Sequence, residues 1–365
     1  MFVARRDLLH ARGRFALMGS VIVLIALLVG LLSGLTAGLG RENTSAVTGL
    51  SADRISFAAP ADGENLSFTD STVPESTWRS WAEVAGVESA EPLGVAMTRA
   101  RSGDTARSLA AFGVNEGSSL APPGRLDEGH AVLSVRAAEE LGGLREGDTF
   151  SLGERELRVG AVEGDAMYSH TPVVWTPLPV WQSLGGPPAA GDGASREAHA
   201  GVVALRGGDD AAVRDADRRV GTRTVPLEDS LEAIGSYRAE NSSLQLMRGF
   251  LFAISALVIG AFFTVWTIQR SADVAVLKAL GASTAYVLRD ALGQAALLLV
   301  GGVGLGTGLA ALAGAAVEGS VPFVLDPATV LVPSTVMTVL GLLGAALAIR
   351  RVVSVDPLIA LGSAR

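Results

Sequence analysis

Cysteine is missing from all 365 residues, which excludes a disulfide framework and any thiolate metal site. Lysine occurs once, as Lys278, among 29 basic residues. A phosphate-cradling Walker loop needs Gly-Lys followed by Ser or Thr. Lys278 stands between Leu277 and Ala279, so this sequence supplies no such loop, and any ATP chemistry needs a second polypeptide. The four histidines, His10, His130, His170 and His199, are too scattered to suggest a zinc cluster. No basic stripe is visible on any segment, which excludes a nucleic-acid binder. Acidic and basic residues are also missing from the middle of each long apolar run.

What fills the chain instead is apolar and small. Hydrophobic residues make up 49%, aromatics only 5%, and mean hydropathy is +0.39, the composition of long Ala/Gly/Val/Leu helices. Charge is segregated. Residues 43–246 hold 30 acids and 17 arginines, a net of -13, whereas the remainder holds 7 acids and 12 bases, a net of +5. Such asymmetry predicts two compartments rather than one globule.

About 20 apolar residues in helical form cross a ~30 Å hydrocarbon layer. Four runs qualify: Leu17–Leu39, Phe250–Ile268, Ala291–Val317 and Val330–Ile349. A signal peptide is the rival reading of the first. Its apolar core is longer than the usual signal core, and no A-x-A site follows in "LLSGLTAGLGREN". Cations cluster at Arg5, Arg6, Arg12 and Arg14, at Arg270, Lys278 and Arg289, and at Arg350, Arg351 and Arg365, but are absent from "EGSVPFVLDPAT". The positive-inside bias therefore predicts cytoplasmic termini, a cytoplasmic 270–290 link and an extracytoplasmic acidic domain, in the plasma membrane. A plain solvated helix end is compatible with each cluster.

The expected segments are a cytoplasmic amphipathic helix over 1–16, spans at 17–40, 247–269, 291–317 and 330–349, an outer α/β domain over 41–246 ending in a helical stalk, an outer loop over 318–329 and a cytoplasmic tail over 350–365. Gly30, Gly34 and Gly38 in the first span, and Gly302/Gly306 and Gly304/Gly308 in the third, recur every four residues. Small residues at that spacing let helices approach closely in lipid. Inside the outer domain, "VPESTWRSWAEVAG" reads as a helix, and "EPLGVAMTRAR" and "RSLAAFGV" as strands. "HAVLSVRAAEELGG" reads as a strand then a helix ended by Gly142-Gly143. "LREGDTFSLGERELRVGAVE" reads as strands with turns at Gly147-Asp148 and Gly153-Glu154, and "TPVVWTPLPVWQSLG" as a strand and short helix. The stretch "GGPPAAGDGASREA" reads as a surface loop. The fold class is a membrane protein with four transmembrane helices, one N-terminal and three C-terminal, plus a mixed α/β extracytoplasmic domain.

"DVAVLKALGAS", Asp273–Ser283, resembles the cytoplasmic motif after the second span of the MacB/FtsX-like ABC transporter permeases. "SVDPLIAL", Ser354–Leu361, resembles that family's carboxy-terminal ending, and "EELGGLREGDTFSLGERELRVGAV" its outer domain. The resemblance covers most of the chain. It implies a MacB-like outer domain and a homodimer of non-catalytic membrane subunits, with two copies of a separate ATPase that binds ATP. The 270–290 helix would dock on that ATPase through Asp273, Val274, Leu277, Lys278 and Leu280. Apolar Val274, Leu277 and Leu280 beside a charged face suit a groove on a partner, and a partnerless membrane-surface helix is the alternative. "YRAENSSLQLMRGFLFAISALVIGAFFTVWTIQR" and "YSHTPVVWTPL" look most like the haem-efflux (Hrt-type) group. Haem is then the implied transported ligand, with no intrinsic cofactor. Export of another amphipathic molecule, or FtsX-like signalling to a cell-wall hydrolase or sensor, remains the alternative.

Tyr237, Glu240, Leu244 and Met247 are spaced 3, 4 and 3 apart, which places them on one helix face just outside the second span. Phenol, carboxylate and thioether are candidate axial ligands, with Glu240 and Met247 the pair proposed for haem iron. Arg238 and Arg248 flank them and are candidates to pair with propionates. His170 is a rival ligand whose plainer reading is a surface histidine, and ordinary packing or solvation is the plain reading of the others. Glu318 and Asp326 lie in the outer loop, either closing its mouth or simply hydrated.

Overall fold

The computed structural model describes residues 12–61, 63–184, 198–269, 276, 281–317 and 321–353. The chain divides into two units, Gly40–Asn241 and a second made of Met1–Leu39 with Ser242–Arg365. The elements in order are α1 (Arg12–Thr48), β1 (Arg54–Ala58), β2 (Val73–Pro74), α2 (Glu75–Ala82), β3 (Val87–Ser102), β4 (Thr105–Val114), β5 (His130–Leu133), α3 (Val135–Glu140), β6 (Thr149–Leu152) and β7 (Arg155–Val162). There follow β8 (Met167–Tyr168), β9 (Thr171–Pro177), α4 (Leu178–Ser183), β10 (His199–Ala200), β11 (Val202–Gly207), α5 (Asp210–Val220), β12 (Thr222–Pro226), a 3-10 turn (Asp229–Ala233), α6 (Gly235–Gln269), α7 (Thr284–Ala316) and α8 (Pro327–Val353).

The Gly40–Asn241 unit is mixed α/β around one large sheet in the order β12-β1-β11-β3-β4-β9-β5-β7-β6. The sixteen-residue β3 is long enough to pair with β11 near its start and, through Ala100 and Arg101, with β6 near its end. That second pairing closes β3, β4, β9, β5, β7 and β6 into a ring, which removes two exposed sheet edges. The turns expected at Gly147 and Gly153 are present, both glycines lying in the left-handed region. The helix expected in "VPESTWRSWAEVAG" is α2, and Ser134 caps α3 by accepting from the Ala137 amide. Most of the loop expected around Pro187–Pro188 lies outside the described residues.

Two apolar clusters form the core of this unit. One gathers Trp81, Trp181, Leu109 and Leu133. The other stacks Phe57, Phe68, Phe112, Tyr168 and Trp175 edge to face, with centroids 5.0 to 6.2 Å apart. Ala46, Val47 and Leu50 join this aromatic cluster, which explains why α1 runs to Thr48 rather than ending near residue 40: its last turns pack into the cluster before Gly49 breaks the helix. Ala233, Ile234 and Tyr237 join from the other end of the unit. Burial pushes the Tyr168 phenol well above its usual pKa, with the Asp70 charge adding to the effect, so it stays neutral.

The other unit holds the four long apolar helices, with candidate spans Ala16–Thr48, Gly235–Gln269, Leu288–Ala316 and Pro327–Arg350. Met18, Ile22, Ala26 and Val29 pack with Ile259, Phe263, Leu299, Val303, Met337 and Ala345. A Cβ on Gly302 would stand 2.7 Å from Ile22, one on Gly30 2.7 Å from the Ala310 Cβ, and one on Gly306 2.6 Å from the Ala26 Cβ. These glycines let α1 and α7 meet backbone to backbone. Gly34, Gly38 and Gly314 serve a different purpose. Phe323 of the 321–326 segment sits against Gly34 and Gly314, the Pro322 carbonyl lies on Gly38, and the Val324 amide donates to the Gly34 carbonyl at 3.1 Å. Asp326 accepts from the Thr329 amide at 2.6 Å, starting α8. Glu318 lies outside the described residues.

Candidate functional site

A polar cluster forms in the Gly40–Asn241 unit where the end of α1 and the start of α6 meet the hairpin joining β8 to β9. The hairpin turn is Ser169-His170, with φ of 52° and 60°. These are the only non-glycine residues with positive φ among those described. A two-residue turn with both centres left-handed ordinarily takes Asn-Gly, and other residues there carry a cost. The compensation is visible. The Ser169 amide donates to the Asn43 carbonyl (3.0 Å) and the His170 amide to the Glu42 carbonyl (3.2 Å), so both turn amides are satisfied by carbonyls in the last turns of α1. Ser45 Oγ accepts from the Met167 amide at 2.9 Å.

Asn43 is 1% exposed, so its amide must be satisfied within the protein. Its Oδ1 accepts from Ser236 Oγ (2.6 Å), and Ser236 Oγ lies 2.8 Å from Ser169 Oγ. Its Nδ2 donates to Glu240 Oε2 (3.2 Å). His170 Nε2 lies 3.0 Å from the same oxygen and 3.1 Å from Asn43 Nδ2. With the ring proton on Nε2, His170 and Asn43 both donate to the Glu240 carboxylate, the tautomer that suits an acceptor on that side. On the other side, His170 Nδ1 is 3.7 Å from Glu42, whose second oxygen is 3.3 Å from Arg136 of α3. His170 therefore lies between carboxylates from α1 and α6, bonding the one from α6.

This places the expected ligands differently from one another. Glu240 is engaged by His170 and Asn43. Tyr237 packs half-buried on the aromatic cluster. Arg238 lines an open cavity of about 520 Å³ beside Asn65, Ser67, Thr69 and Gly235. Glu64 and Asp70 line the same cavity, so it is not a site of one sign. Met247 and Arg248 follow on α6 in the other unit, and Met247 is half exposed. Asp273, Val274, Leu277, Lys278 and Leu280 lie outside the described residues. Among the described residues, no three His, Asp or Glu side chains are placed to hold a metal ion. Asn43, Ser169 and Ser236 escape sequence reasoning, because nothing in their local pattern separates a buried amide and two half-buried hydroxyls from ordinary helix-end and turn residues.

Residues 246–357 match the family model for the FtsX-like permease C-terminal domain. This part of the chain is an FtsX-like permease domain. A permease of Staphylococcus epidermidis named for hemin transport, HrtB, is 31% identical over 142 residues, which span 39% of this chain and 41% of that protein's length. Its namesake from Staphylococcus haemolyticus is 26% identical over 99% of both chains. An uncharacterized ABC transporter permease of Mycobacterium tuberculosis is 28% identical over 99% of both. The periplasmic region of MacB from Actinobacillus actinomycetemcomitans is 14% identical, covering 52% of this chain and 95% of that one, with a TM-score of 0.36. The FtsX-like domain contains Met247, Arg248, α7 and α8. Tyr237, Arg238 and Glu240 precede it, on the first two turns of α6.

Proposed function

We propose that this chain is the membrane subunit of an ATP-driven efflux pump for haem. The observation that carries the reading is the relation, over 99% of both chains, to the staphylococcal permease named for hemin transport. Two copies of the chain pair with two copies of a separate ATPase, which binds the ATP that a chain without a Walker lysine cannot. The cationic ends of the spans face the cytoplasm and the acidic Gly40–Asn241 unit faces outward. Asp273, Val274, Leu277, Lys278 and Leu280 receive the movement of the ATPase and pass it to α6.

Haem is planar and amphipathic and partitions into the bilayer, so it enters laterally rather than through a central path. The absence of charge from the middle of the spans suits that route, since a charged group there is costly without a role. Glu240 and Met247 supply the iron ligands, Tyr237 lines the pocket, and Arg238 and Arg248 take the propionates. Movement of α6 closes the pocket and expels the cargo. Export of another amphipathic molecule is the second reading, favoured by the equally full-length mycobacterial relative, whose name states no cargo.

The test is a hemin titration of the chain purified with its ATPase. We expect a Soret change in the parent that is lost in the Glu240→Ala, Met247→Ala double variant; an unaltered Soret response in the double variant removes both residues from the site. Deleting Asp273–Ser283 is expected to leave the Soret change intact while abolishing export. Export surviving the deletion rejects the coupling role.

A further inference from the structure

The two helices that meet the Ser169-His170 turn are held in unlike ways. α1 is held largely by main chain, its carbonyls accepting from the Ser169 and His170 amides, with the Ser45 hydroxyl accepting from the Met167 amide. α6 is bonded there through side chains, Ser236 to Asn43 and Ser169, and Glu240 to Asn43 and His170. Just before Glu240, Ala233 and Ile234 are buried in the aromatic cluster and Tyr237 packs against it. The root of α6 is therefore fixed by apolar packing. One turn later the contacts of Glu240 are polar, and its carboxylate is 42% exposed. Packed cores resist continuous deformation, whereas exposed hydrogen bonds exchange readily with water. The left-handed turn adds a second argument, because strain kept at Ser169 and His170 is retained only where surrounding contacts over-determine it.

We infer that α6 is a lever hinged at Ile234–Tyr237 and latched at Glu240 by Asn43 and His170, and that cargo releases the latch by taking the Glu240 carboxylate. The inference rests on the permease reading above and adds how that site regulates the pump. A ligand shifts a two-state equilibrium only through a difference in affinity for the two states. Here the difference is explicit: the carboxylate that bonds His170 and Asn43 in the latched state is the one offered to iron in the released state. Asn43 and His170 are positioning residues, not ligands. Release frees α6 beyond residue 240, the helix that leads to the ATPase-facing link.

The experiment measures ATP turnover and hemin binding by the chain purified with its ATPase. His170→Ala and Asn43→Ala are each expected to raise turnover without hemin about fivefold to tenfold, the factor for losing roughly 1–1.4 kcal/mol of latch, and to keep the hemin Soret change. A His170→Cys, Glu240→Cys pair, the only thiols in an otherwise cysteine-free subunit, should lose basal turnover when bridged across the latch by a short thiol-specific cross-linker and keep raised turnover when unbridged. This second arm does not depend on how well the single variants fold. Unchanged basal turnover in His170→Ala, or full basal turnover in the bridged pair, overturns the latch. Loss of the Soret change in His170→Ala with basal turnover unaltered also overturns it and makes His170 a ligand. If hemin neither binds nor stimulates the parent, the cargo assignment fails, while basal turnover in the same variants still decides the latch.

Discussion

Gly306→Leu is expected to lower the melting temperature of the detergent-purified protein by about 5–10 °C, or roughly 3 kcal/mol. At this position a Cβ would press on the Val23 carbonyl and stand 2.6 Å from the Ala26 Cβ and 3.0 Å from the Leu27 amide. Two of those obstacles are α1 backbone, which no side-chain rotation can move. α1 and α7 must separate, and every contact along their seam, including Gly30 on Ala310 and Gly302 on Ile22, is stretched with them. In lipid the loss is not recovered by water-driven association, because close van der Waals contact is what joins the helices there. Gly304→Leu is the matched control. Nothing lies within 4 Å of a Cβ at Gly304, so its melting temperature should stay within about 1 °C of the parent. Equal losses at the two positions would reject the α1–α7 seam.

Trp181→Ala is expected to cost the Gly40–Asn241 unit about 3–5 kcal/mol, read as a loss of roughly 10 °C by circular dichroism. The ring is fully buried and lies directly on Gly94 of β3 and Gly113 of β4, where any Cβ would overlap it. Two neighbouring strands have thus given up side chains to seat one indole from α4. Alanine leaves a cavity that the ring of strands around β3 cannot collapse to fill. Trp181→Phe separates packing from polarity. The indole Nε1 has no protein hydrogen-bond partner, so phenylalanine removes a buried donor as well as some volume and should cost less than half as much. A phenylalanine variant as unstable as alanine would mean that Nε1 is satisfied by bound water whose loss matters.

These two predictions mark where local sequence is informative and where it is not. Gly302/Gly306 and Gly304/Gly308 have identical spacing on the same helix. Only packing reveals that the first pair meets α1 and the second meets nothing. Likewise Gly34 and Gly38 look like another helix-crossing face but receive Phe323 and Pro322 from a loop. Short elements with weak patterns, such as β1, α5 and β12, owe their form to neighbours. α5 exposes most of its residues and buries only Val213 and Ala216, and β12 is held by pairing with β1.

The sequence by itself determined the four long apolar helices, the acidic unit between the first and second of them, and the lack of a Gly-Lys-Ser/Thr phosphate loop around its one lysine. Each follows from properties summed along the chain: run length against bilayer thickness, net charge by segment, and the neighbours of a single lysine. Tertiary structure alone decided that Glu240 faces His170 and Asn43, although His170 and Glu240 lie 127 and 197 positions from Asn43 along the chain. A hydrogen bond is set by distances of about 3 Å between atoms, and that closeness comes from folding β8, β9, α1 and α6 onto one aromatic cluster rather than from any spacing readable along the chain.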